Sequence, residues 1–72
     1  MKFEVINVDG YNGGFEVWVG EGVDELDCVV NYYRDVMGFD VFSEDLKENM
    51  NIGKNGVSFR MEEEIILVRK IS

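Results

Sequence analysis

The sequence predicts a small two-layer α+β domain: an antiparallel sheet with one main helix and a short second helix, in ββααββ order. Three observations carry this. Residues 2–8 (KFEVINV) and 15–20 (FEVWVG) are Val-, Ile- and Phe-rich runs separated by turn formers. Residues 23–38 (VDELDCVVNYYRDVMG) place their apolar groups on one face of a helix. Residues 57–61 (VSFRM) and 64–71 (EIILVRKI) return to strand patterns. Strands that flank a helical segment build a sheet with helices on one side. The 72 residues suffice for one domain, 1–72.

The first two strands meet at DGYNGG (9–14). A calcium loop needs oxygen ligands at alternate positions, and Tyr11 and Gly13 occupy them. A phosphate cradle opens a helix, whereas a strand follows here. Asp-Gly and Asn-Gly tolerate positive φ, so the stretch reads as a hairpin loop with Tyr11 at its tip. A tighter turn would set Asp9 against Glu16, two like charges. The longer loop pairs Val8 with Phe15, Ile6 with Val17 and Val5 with Trp18. Ile6, Val8, Phe15, Val17 and Val19 then share one face of the hairpin, and Phe3, Val5 and Trp18 share the other.

The main helix is expected over 25–37, with Leu26, Val29, Val30, Tyr33, Val36 and Met37 inward. Asp24 is the N-cap and Asp27 its reciprocal partner. Val23 and Cys28 hold the two hydrophobic-staple positions. Gly38 stands where a helix-ending glycine belongs. SEDLKENM (43–50) predicts the second helix, capped by Ser43, with Leu46 and Met50 one turn apart. NIGKNG (51–56) reads as a turn. Residues 64–71 are expected to be a central strand, because Ile65 to Val68 are continuously apolar. The Glu62-Glu63 connection carries neither Gly nor Asn.

Composition excludes most chemistry. The chain has no histidine and one cysteine, so Ser-His and Cys-His pairs, zinc sites of the usual type and an internal disulfide are ruled out. Cys28 lies among Asp24, Glu25 and Asp27, which oppose its ionisation. Carboxylate pairs such as Asp40/Glu44 and Glu44/Glu48 are plentiful, but helix-end acids are accounted for by the helix dipole. No cofactor motif or metal-ligand spacing is present, and no enzyme activity is expected. Lys2 and Glu4 interrupt any leader-like apolar run, no stretch has the roughly 18 apolar residues of a membrane span, and a cytoplasmic protein is expected.

The net charge of −8 is concentrated in the middle of the chain. Residues 21–50 carry nine acids against Arg34 and Lys47. Such a balance argues against direct contact with nucleic acid or an anionic membrane, and fits a basic protein partner. The first expectation is therefore a small acidic binding protein that docks on a basic, nucleic-acid-binding protein by imitating phosphate charge. Inhibitors encoded by phages and mobile elements act in this way. Glu21, Glu25, Asp35, Asp40, Glu44, Asp45 and Glu48 are its candidate contacts. Asp24, Asp27, Asn31 and Asp35 fall along one side of the main helix. The alternative is a self-associating accessory subunit or antitoxin-like regulator. One helix covers one sheet face, and Phe3, Val5 and Trp18 are then expected to be the exposed patch through which a homodimer or heteromer forms.

Overall fold

The computed structural model describes residues 1–71. It is an α+β fold. The strands are β1 (Lys2–Asp9), β2 (Phe15–Glu21), β3 (Met50–Gly53), β4 (Gly56–Arg60) and β5 (Glu64–Lys70). They form one sheet in the order β2-β1-β5-β4-β3, with every neighbouring pair antiparallel. The helices α1 (Glu25–Tyr32) and α2 (Ser43–Lys47) follow β2.

The first hairpin has the expected register: Val5 opposes Trp18, Ile6 opposes Val17 and Val8 opposes Phe15. Its loop is organised by Asp9. One carboxylate oxygen accepts from the Tyr11 amide at 2.8 Å, and the other accepts from the Asn12 side chain at 3.1 Å. The Asp9 carbonyl accepts from Gly13 at 3.0 Å, where φ is +70°. These bonds, led by the Tyr11 amide, hold the Asp9 carboxyl below its ordinary range. Tyr11 is exposed at the tip.

α1 starts as expected. Asp24 accepts from the Asp27 amide at 2.8 Å. Asp27 accepts in return from the Val23 amide at 2.9 Å, one residue before the cap. Val23 is largely exposed, so the expected staple against Cys28 does not close over the cap. The helix also ends earlier than the periodicity predicts. Regular α geometry stops at Tyr32, and Tyr33–Met37 form a π-helical turn closed by left-handed Gly38. The Gly38 and Phe39 amides both donate to the Tyr33 carbonyl. Tyr33 is fixed here by a bond to β5 and by Phe39, whose ring lies 5.3 Å away.

Two further expectations are corrected around α2. Ser43 is its first helical residue, and Phe42 holds the cap position without a side-chain bond. The helix ends at Lys47, and Asn49 turns the chain by bonding back to Leu46 and Asp45. Residues 50–53, expected as the end of a helix and the start of a turn, form β3. Pairing with β4 decides this: Met50 opposes Phe59 and Ile52 opposes Val57. The sheet therefore has five strands, and the turn shrinks to Lys54-Asn55. β5 is the middle strand, as its apolar run predicts. The Glu62-Glu63 turn is held by the Met61 amide on the Glu64 carbonyl (2.8 Å) and by Gly10 on the Glu63 carbonyl (3.0 Å).

α1 lies over β1, β2 and β5. Phe3, Val5, Cys28, Val29, Tyr32, Leu46, Phe59, Ile66 and Val68 are buried between the two layers. This reverses the expected exposed face. Phe3 and Val5 are buried, and Trp18 is half-buried against Tyr32, ring centroids 5.5 Å apart. The side chain of Trp18 folds across Gly20, where a Cβ would run into the indole. Gly20 thus makes room for a large aromatic between sheet and helix.

Candidate functional site

Because strand side chains alternate between faces, the residues between those core positions all point away from the helices. The apolar ones are Ile6 and Val8 on β1, Phe15, Val17 and Val19 on β2, and Ile65 and Leu67 on β5; Glu4 and Arg69 share the face. Cross-strand pairing makes them neighbours: Val17, Ile6, Leu67 and Ser58 form one row, and Phe15, Val8, Ile65 and Arg60 the next. Phe15 is 71% exposed, Val17 53% and Leu67 41%. Among the described residues, no helix covers this outer face. Soluble antiparallel sheets with one wet face alternate polar and apolar residues. Here β1 and β5 carry large apolar residues on both sides, and β2 sets Phe15, Val17 and Val19 outward against Trp18 inward, a pattern close to that of strands buried on both faces.

The rim of the outer face is polar. Arg69 donates to Glu4 at 3.0 Å across β5 and β1. Towards β3 the surface drops into an open depression of about 650 Å³, lined by Ile6, Ser58, Leu67, Gly53 and Gly56 among others. The depression exists because this half of the sheet carries glycines, Ser58 and Asn51 where the other half carries Phe and Val.

The predicted acidic contacts other than Glu21 lie on the helical side and at its ends. Asp40, Glu44, Asp45 and Glu48 are exposed on and around α2, with Lys47 among them. Glu21 ends β2, and its carbonyl accepts from Asn31. Glu25 is half-buried in the first turn of α1. Asp35 pairs with Arg34 at 3.3 Å. The predicted helical line of charges is thus largely engaged within the chain: Asp24 and Asp27 in the cap, Asn31 with Glu21 and Arg34, and Asp35 with Arg34. Among the described residues, no three His, Cys, Asp or Glu side chains converge to hold a metal ion. Nor is any helix long and apolar enough to cross a membrane.

One polar cluster was not foreseen. Asn7, on the inner face of β1, is buried and donates to the Tyr32 hydroxyl at 3.0 Å and to Glu64 at 2.8 Å. The Tyr33 hydroxyl donates to the other Glu64 oxygen at 2.6 Å. Burial, and then the Glu64 carboxylate, raises the Tyr33 phenol far above its ordinary range. Burial also raises Tyr32. Both Glu64 oxygens are therefore occupied, and the cluster ties α1 and the π-helical turn to the sheet. Cys28 is buried, and burial followed by Asp27 and Glu25 pushes its thiol up to about 11.

Gly20 is the one local hint in the sequence to which face turns outward, and it becomes decisive only with Tyr32 packed against Trp18. The face that meets the helix needs a small residue beside Trp18, which leaves the Phe15, Val17 and Val19 side outward. Compared with protein-family models, curated proteins and solved structures, the chain matches none, so its function is read from these surfaces alone.

Proposed function

We propose that this chain is a non-enzymatic binding protein whose working surface is the outer face of the sheet. One observation carries the reading: Phe15, Val17 and Val19 on β2, Val8 on β1 and Leu67 on β5 stand exposed around a half-buried Ile6. Contiguous apolar patches of this kind mark interaction sites. The reading keeps the interaction role expected from the sequence and moves it to the opposite face. The buried lone thiol fits a reducing, cytoplasmic setting. The test is affinity capture from the native cell with the original chain and with a Val17→Asp, Leu67→Glu double variant that retains its helix signal. Loss of the captured partner supports the reading, and undiminished capture refutes it.

A second reading concerns the opposite layer. Asp40, Glu44, Asp45 and Glu48 are exposed together with one base, Lys47. This favours docking of a basic, nucleic-acid-binding protein on the α2 side. With the sheet face occupied, that acidic layer would be the surface left outward.

A further inference from the structure

We infer that the occupant of the outer sheet face is a second copy of this chain, packed sheet on sheet about a two-fold axis running along β5. The inference rests on the reading of that face as the binding surface, and names its partner. Three features select a second copy.

The first is shape. β5 is the middle strand, so an axis along it lays β1 over β4 and β2 over β3 of the other copy. The row Val17–Ile6–Leu67–Ser58–Asn51 then folds onto itself: Val17 over Asn51, Ile6 over Ser58, Leu67 against Leu67. The next row brings Val19 over Gly53. Val17 and Val19 thus meet the 650 Å³ depression of the second copy, while in the remaining row Val8 lies over Arg60. A two-fold contact requires a surface complementary to itself, and this distribution of large and small side chains supplies one.

The second is charge. The chain carries −8, and most of its surface repels a second copy. On the outer face Lys2, Arg60 and Arg69 stand against Glu4 and Glu21, and Arg69 is already paired with Glu4. On the axis Arg69 meets the second copy's Arg69, each held by its own Glu4, so this face brings balanced charges together where the helical side carries an excess of acids.

The third is area. Five strands spaced about 4.8 Å apart and about 20 Å long present a patch of roughly 24 by 20 Å in projection. That projected area, roughly 480 Å², is smaller than the roughly 800 Å² per partner of a standard complex and suits a contact that forms at high protein concentration. Stacked sheets bury both faces at a separation of about 10 Å, which matches the two-sided apolar pattern of β1 and β5.

Sedimentation equilibrium of the purified chain at about 100 μM tests this. The expected mass is twice the 8.3 kDa of one chain. Leu67→Glu, on the central strand at the axis, should return it to one chain while far-UV circular dichroism and Trp18 fluorescence stay native. A second variant, Ser58→Trp, fills the depression and should give the same result with an apolar group. A monomeric original chain overturns the inference, as does a folded Leu67→Glu that remains dimeric, which would mean edge pairing through β2 or β3. A monomer whose capture of another protein is still lost in the double variant leaves the binding-face reading standing and removes only the second copy.

Discussion

The Tyr33 hydroxyl donates to Glu64 Oε1 at 2.6 Å, joining the π-helical turn to the middle strand of the sheet. Glu64 completes its coordination with Asn7, so removing the phenol leaves a half-buried carboxylate with one donor. Tyr33→Phe is expected to cost about 1.5–3 kcal/mol, the range for a hydrogen bond to a charged group. Urea titration measures it.

Burial of the two phenols, reinforced for Tyr33 by this bond, sets an alkaline limit. The folded-state pKa values of Tyr33 and Tyr32 lie above that of an unfolded phenol, about 10. The unfolded chain therefore loses these protons first. Their contribution is complete below about pH 10 and is lost as pH rises beyond it. Cys28, raised from 9.0 to about 11, adds a loss that begins above pH 9. Thermal melts from pH 7 to 11 should show stability falling from about pH 9. Tyr33→Phe should flatten the decline above pH 10.

Cys28 is buried at the start of α1 and held protonated by burial and by Asp27 and Glu25. It is expected to resist a thiol reagent such as DTNB in the native state and to react at once in denaturant. Rapid native labelling at pH 8 would contradict the placement of this residue.

Gly56 opens β4 with φ +148°, and a Cβ there would stand 2.6 Å from the Val68 carbonyl oxygen. Neither the conformation nor the backbone contact can accommodate alanine. Gly56→Ala should destabilise by more than about 1 kcal/mol. Gly20→Ala should instead expel the indole of Trp18 from beside Tyr32, read as a red shift of Trp18 emission.

The acidic layer predicts salt-sensitive binding. Exposed ion pairs contribute about 0–1 kcal/mol each, so several must act together. Changing Asp35, Asp40, Glu44 and Glu48 to Asn or Gln should leave stability nearly unchanged and abolish binding of a basic partner in competition with DNA. Full binding by the quadruple variant would eliminate the phosphate-imitation reading.

The sequence by itself determined the elements whose causes are local. Asp24 and Gly38 mark the ends of the helical segment through their own backbone and side-chain preferences. Asp9, Asn12 and Gly13 set the first hairpin loop, and with it the register from Val5–Trp18 to Val8–Phe15. Tertiary structure decided what depends on distant partners. Residues 50–53 carry no strong strand signal and became β3 because β4 offered free backbone groups at its edge. The helix left α geometry at Tyr33, which bonds a carboxylate 31 positions away. Alternation along β1 and β2 defines two faces but cannot say which one the helix will cover. Both are apolar, and the choice fell to the packing of Trp18 over Gly20 and against Tyr32. That packing placed Phe3 and Val5 inside and left Phe15, Val17 and Leu67 in water.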